Sequence, residues 1–422
     1  MQITSVTARQ LLDCKCRPLV EVEVHTADGS VGRGAAPTGS SVGMYEAHVL
    51  RDGDPDEYRG LSVHRAVAAV TDVIAPAIIG CDVLDQRGID EVMIELDGTE
   101  RKTRLGGNAI YSTSIAVLRA AAATQHLHPY QMLGGDTLAT VPVPTFNMVN
   151  GGRYPDVVQP FNEFLVMPYR ADSIYSAVEM SVNLFATVRD VLAEYLGGPP
   201  AVAGSYGYAA PSADPAVVLS LLAEAIDRCG YADSFAFALD CASSEMFDAE
   251  TGTYELLGDR VTSRELVAYT KELTERFDFV FIEDLLDEND WDGFSHAVAE
   301  LDRTIVLGDD LIVTDRDRLA RAAEERAVGG FILKPNQVGT ISEALDTHAF
   351  AVDHGLISVP SGRSGGVIDD VVMDLSVGLQ VPFQKNGAPR SGERIEKLNF
   401  LMRAAESIPG CTLHDVPGLV RF

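Results

Sequence analysis

Five short apolar runs in the second half of the chain each close on a charged residue. Asp240 follows Phe235–Leu239, Glu283 follows Phe279–Ile282, and Asp309 follows Thr304–Gly308. Lys334 follows Phe331–Leu333, and Lys385 follows Val381–Gln384. A sixth run, Phe161-Asn162-Glu163-Phe164, carries a further acid, Glu163. Three carboxylates gathered at one place repel each other unless a divalent cation sits between them. Asp and Glu oxygens, without Cys or His, select a hard ion such as Mg²⁺. With Lys334 and Lys385 opposite, a substrate carboxylate on that metal would have an acidified α-proton, because the developing enolate is stabilised electrostatically. A lysine near cations has a lowered pKa and can act as the base.

That chemistry requires elements that bring the charges together. Helical stretches such as Ser263–Phe277 and Arg316–Ala327 separate the apolar runs. Buried strands alternating with helices predict parallel βα units, and such a series favours a closed barrel whose C-terminal strand ends share one mouth. The first 60 residues read differently. Val20-Glu21-Val22-Glu23-Val24 alternates at period two, as a half-buried antiparallel strand does, and Ala27-Asp28-Gly29-Ser30 supplies a turn. Gly32 to Gly43 reads as a long flexible loop, and Ser62 to about Ala123 shows helical spacing. With Pro142 and Pro144 near the change of texture, the expectation is an α/β protein. It has an N-terminal α+β cap domain over residues 1–135 and a C-terminal (β/α)8-type barrel over 136–422.

The chain has 422 residues, and 33 Lys+Arg against 62 Asp+Glu give a net charge of −29. That excess argues against nucleic acid and anionic membrane surfaces as partners. An anionic small substrate remains open if cations or a metal cluster locally. No apolar run reaches spanning length, and MQITSVTARQ lacks a signal-peptide layout. Six cysteines without a C-x-x-C pair argue against a disulfide framework or zinc knuckle. The expected location is cytoplasmic.

Eleven ordered segments carry a resemblance that extends from Ala8 to about Arg403. Among them are LLDCKCRPLVEVEV (11–24), GMYEAHVLRDGD (43–54), LDGTERKTRLGGNAI (96–110), VPVPTFNMVNGG (141–152), IEDLLDENDW (282–291), LKPNQVGT (333–340) and KNGAPRSGERIEKLN (385–399). On these the chain resembles the enolase (phosphopyruvate hydratase) family, in which a Lys base works with Mg²⁺. The resemblance implies a cap-and-barrel fold, usually dimeric. It implies a Mg²⁺ on Asp240, Glu283 and Asp309, with Lys334 as the base for the C2 proton. Lys385 would help neutralise the substrate carboxylate and enolate. Arg363 and Ser364 fall on the pair that binds the substrate phosphate, Ser41 on the mobile-loop serine, and Glu163 on an acid near the leaving hydroxyl.

Three departures cluster on the leaving-group side. Family members carry Gly-Asp-Glu-Gly-Gly where this chain has Gly204-Ser205-Tyr206-Gly207-Tyr208. They carry Ser-His after the Asn-Gly-Gly turn, where this chain has Arg153-Tyr154, and Ser-His-Arg-Ser-Gly-Glu where it has Ser361-Gly362-Arg363-Ser364-Gly365-Gly366. Loss of general-acid help is typically worth about 10²–10⁴-fold. Tyr206 and Tyr154 are candidate replacement donors, and Arg153 suits an extra anionic group. The first expectation is therefore Mg²⁺-dependent proton abstraction from a phospho- or phosphono-carboxylate with an altered leaving-group step. A carboxyphosphonoenolpyruvate synthase-like role in phosphonate biosynthesis is an example. The alternatives are an ordinary phosphopyruvate hydratase and a catalytically silent homologue with a binding role.

Overall fold

The computed structural model describes residues 1–39, 42–155 and 157–422. The alternation of valine and glutamate near the N-terminus builds an antiparallel meander of β1 (Ile3–Leu12), β2 (Pro18–Thr26) and β3 (Val31–Ala35), in the order β1-β2-β3. Val20, Val22 and Val24 are fully buried, while Glu23 on the other face pairs with Arg9 and Arg33 at 2.6 and 2.7 Å. The helix Gly107–Thr124 lies on the buried face, and almost every one of its residues is buried.

The segment expected to be a flexible loop from Gly32 begins as β3. A Cβ on Gly32 would lie 2.0 Å from the Ala116 carbonyl oxygen, and one on Gly34 would lie 2.1 Å from that of Ser112. Glycine here marks a close approach of sheet to helix rather than looseness.

Eight strands form the barrel: β4 (Val143–Arg153), β5 (Val158–Met167), β6 (Ala236–Asp240), β7 (Phe279–Glu283), β8 (Ile305–Gly308), β9 (Gly330–Leu333), β10 (Ile357–Pro360) and β11 (Phe383–Lys385). The ring closes where β11 pairs in parallel with β4 and a bridge joins Ser361 to Lys385. From β6 to β10 every neighbouring pair is parallel. The uniform βα alternation expected from the sequence fails at β5, which is antiparallel to both β4 and β6. β4 ends at Arg153 and β5 begins at Val158, an interval too short for the crossover a parallel pair requires.

Leu165, Ala238, Phe281, Leu307, Ile332, Val359 and Phe383 fill the interior as a packed core. Outer helices start on designed caps. The Thr262 side chain accepts from Glu265 N ahead of Ser263–Arg276, and Asp315 caps Arg316–Glu324. The cap docks through buried polar contacts, including Lys102 on Glu343 at 2.8 Å and Asp90 accepting from Ser342. No helix among the described residues is long and apolar enough to cross a membrane.

Candidate active site

Strand register alone sets the first row of charges. Asp240 stands opposite Glu283 in the β6–β7 pair and opposite Glu163 in the β5–β6 pair. Glu163 lies inside its strand rather than at its end, and it still reaches the mouth because β5 runs in the opposite direction. Lys385 closes β11 and inserts its ammonium among these acids. It lies 2.7 Å from Glu283 Oε2, 2.8 Å from Asp240 Oδ2 and 3.2 Å from Glu163 Oε2. One turn further around, Lys334 at the end of β9 is ion-paired with Asp309 beyond β8. Gln337 Nε2 donates to the other Asp309 oxygen at 2.8 Å.

The loops that hold these groups are strained. Asp284, Val313 and Thr314 adopt positive φ of 45°, 47° and 58°, and for the β-branched Val313 and Thr314 this is unusual. Asp284 accepts from the backbone N–H of Asp309 and of Asp310 at 2.8 and 2.9 Å, which fixes the turn that presents Asp309. Thr314 Oγ1 accepts from Lys334 N at 2.8 Å, tying the base-side loop to the same turn.

Burial and mutual repulsion govern the ionisation of this mouth. Burial first, then the Asp240 charge, pushes Glu283 well above the usual carboxylate range. Burial would raise Glu163 too, but Lys385, Arg394 and Lys334 together outweigh it and hold that acid low. Burial alone would lower Lys334, yet among the surrounding side chains the Asp309 and Glu283 carboxylates together outweigh burial and raise it. Lys385 is raised well above its ordinary value for the same reason, among Asp240, Glu283 and Glu163.

The donor set fits a hard cation. Glu283 Oε1 is buried without a hydrogen-bond partner, beside Asp240 in the strand register and within reach of the Asp309 charge. A buried orphan carboxylate oxygen is a group that calls for a ligand. Among the described residues a different set of acids clusters: ligand oxygens of Asp284, Asp309 and Asp310 lie within 4.8 Å of one another. Both Asp284 oxygens already accept backbone N–H groups, so its part in that cluster is to hold the loop.

Glu163, Asp240, Asp309, Lys334 and Lys385 line a cavity of about 340 Å³ together with Arg363 and Ser364. Arg363 follows β10 and grips Glu46 of the cap with both terminal nitrogens, at 2.9 and 3.1 Å. The rim residues singled out from the sequence are placed elsewhere. The Tyr206 side chain does not line this cavity; its hydroxyl donates to the Cys14 carbonyl at 3.2 Å. Tyr154 donates to the carbonyls of Asn150 and Gly151, at 3.0 and 2.9 Å. Arg153, with its side chain 70% exposed, pairs with Glu255 and lines a separate hollow. Hairpin and loop geometry turns all three away from the acids. Ser41 lies outside the described residues.

Several buried charges at the mouth went unassigned in the sequence: Glu46, Asp284, Arg394 and Lys397. Arg394 and Lys397 sit in the matched KNGAPRSGERIEKLN segment, three residues apart on the helix Gly392–Ser407. That spacing places them on one helix face and was the available signal.

An eight-stranded barrel with a carboxylate-and-lysine mouth, covered by an α+β cap, defines a class of two-domain barrel enzymes. Family models refine it: "Enolase, N-terminal domain" matches residues 3–133 and "Enolase, C-terminal TIM barrel domain" matches residues 138–414. A protein named Enolase from Methanopyrus kandleri is 42% identical over 413 residues, 97% of this chain and 96% of its own length. Those from Methanococcus maripaludis strain S2 and Corynebacterium kroppenstedtii are each 40% identical, covering 96% of this chain and 95% of theirs. The chain belongs to the enolase family and is a lyase-type enzyme of it.

Proposed function

We propose that the protein catalyses the phosphopyruvate hydratase reaction, the interconversion of 2-phosphoglycerate and phosphoenolpyruvate. The observation that carries this reading is the mouth itself: Lys334 faces Lys385 across Glu163, Asp240, Glu283 and Asp309, all at one end of the barrel. The near-full-length relatives named Enolase support it over the altered, phosphonate-type reaction that the rim departures suggest, for which they give no support.

Asp240, Glu283 and Asp309 would hold Mg²⁺. When bound, the ion supplies charge stabilisation for the enolate and neutralises acids that otherwise keep Lys334 protonated. Lys334 Nζ removes the C2 proton. The Lys385 ammonium stands beside the substrate carboxylate as negative charge builds there. Arg363 and Ser364 bind the phosphoryl group, with Arg363 aimed by its two hydrogen bonds to Glu46. The Glu163 carboxylate, oriented by Asn147 Nδ2 at 2.8 Å, lies on the leaving-hydroxyl side. We take 1–135 as cap and 136–422 as catalytic barrel, and expect a cytoplasmic homodimer.

A second reading rests on one observation. The stretch Gly204–Tyr208 has no acid, and the Tyr206 hydroxyl is engaged with the cap. Proton abstraction could then be coupled to a different second half-reaction on a phosphonylated acid. Appearance of the enol product from 2-phosphoglycerate and Mg²⁺ separates the two. Turnover supports the hydratase, whereas C2 proton exchange without product supports the second reading.

A further inference from the structure

Lys397 is a buried charge that this scheme leaves unused. It is only 5% exposed, it lines the cavity, and it makes neither a hydrogen bond nor an ion pair with any described residue. A buried ammonium with only longer-range attraction to acids, and no hydrogen bond or ion pair, is expensive to maintain unless something pairs with it. Its surroundings show where that partner would come from. A Cβ on Gly362 would lie 2.6 Å from Lys397 Nζ, so the missing side chain at 362 opens a gap that the ammonium fills. Gly362 directly precedes Arg363 and Ser364, and all three line the cavity with Lys397. Arg394, one helical turn earlier, lines it too and donates to the Ser205 carbonyl.

We propose that Lys397, admitted to the cavity by Gly362, is a substrate-binding cation that contacts the tetrahedral oxyanion of the substrate beside Arg363 and Ser364. The inference rests on the proposed function only in taking that oxyanion to be a phosphoryl or phosphonyl group. Several charges face Lys397. Asp370 draws its charge and leaves one buried carboxylate oxygen unpartnered, Glu393 and Cys14 add to that pull, and Arg394 repels it. Burial outweighs the acids and pushes Lys397 down to about 8. The ammonium is therefore charged below that pH and loses its charge as pH rises through it. An arginine at the same place would stay charged throughout.

The test uses the full-length protein with sulfate as probe, because sulfate keeps its charge across the range. Sulfate affinity is measured by calorimetry at pH 7 and pH 9, alongside the KM and kcat for 2-phosphoglycerate. We expect Lys397→Met to weaken sulfate and raise KM at least about tenfold, with kcat changed far less. We expect Gly362→Ala, which pushes the ammonium back, to weaken sulfate in the same direction. Lys397→Arg should restore binding and flatten the fall in sulfate affinity between pH 7 and pH 9. Unchanged sulfate affinity and KM in a folded Lys397→Met protein, with only a lower melting temperature, would overturn the proposal. So would a Lys397→Arg variant that keeps the wild-type pH dependence. Lys397-dependent sulfate binding without turnover of 2-phosphoglycerate would leave this inference standing and remove the hydratase reading instead.

Discussion

The two halves of the barrel mouth are built differently. Asp240, Glu283, Lys385 and Lys334 sit at or one residue past the ends of buried strands, where register with neighbouring strands sets their positions. Arg153, Tyr154 and Tyr206 sit at a hairpin and in a loop, and their polar atoms are engaged with backbone carbonyls or an outward glutamate. The first half is a closed network of opposed charges in a low-dielectric pocket. The second is a rim whose side chains point away from it. Chemistry that needs fixed geometry is concentrated on the rigid half, and the rim carries the departures from the family pattern.

The largest effect should come from the rigid half. Lys334→Ala should lower kcat at least about 10³-fold and abolish C2 proton exchange, read by NMR in deuterium oxide. Activity within tenfold of the parent would break the assignment of the base. Lys385→Met leaves Asp240, Glu283 and Glu163 buried without their cation. It should destabilise the protein by about 3–5 kcal/mol in denaturant titrations without added divalent metal.

A pH effect of intermediate size belongs to a third region, where the cap residue Tyr130 meets the helix Val372–Gly378. Burial pushes the Asp374 carboxyl up to about 7. Its folded pKa exceeds its unfolded value, so ionisation opposes folding. That penalty is absent below the unfolded pKa of about 3.9 and grows until pH passes about 7. Asp374→Asn should remove this term, leaving a melting temperature that falls less between pH 5 and pH 8 than that of the parent. An identical fall in both proteins would show that Asp374 does not titrate in that window.

The smallest effects should come from the rim. Tyr206→Phe and Arg153→Ala should each leave kcat/KM within about threefold of the parent, as exposed or backbone-anchored substitutions do. A hundredfold loss in either variant would put the rim back into the chemistry and erase the contrast between the halves.

The same contrast explains what could be read from residues alone. A buried strand closed by a charge is visible as a run of apolar residues with an acid or lysine behind it. Asp240, Glu283, Asp309, Lys334 and Lys385 all stood out on that basis, and the barrel followed from their repetition. Tyr206 did not yield to the same reasoning, because its hydroxyl partner is Cys14 in the cap, 192 residues away. The balance of charge around Lys334 was not legible either, because the acid that raises its pKa most, Asp309, lies 25 residues earlier. The reversed direction of β5 was available in the short interval between Arg153 and Val158, yet the alternating texture of the later barrel concealed it. Gly32 and Gly34 misled for a simple reason: glycine serves close packing as readily as it serves loops.

The central claim is that the rigid half abstracts the proton α to a carboxylate and that water then leaves. One NMR time course tests it most directly, with 2-phosphoglycerate and Mg²⁺ in deuterium oxide, following deuterium at C2 and the vinyl protons of the product together. The account predicts phosphoenolpyruvate with C2 exchange, both lost in Lys334→Ala. A parent protein that forms no product, with or without exchange, or product and exchange undiminished in Lys334→Ala, would contradict it.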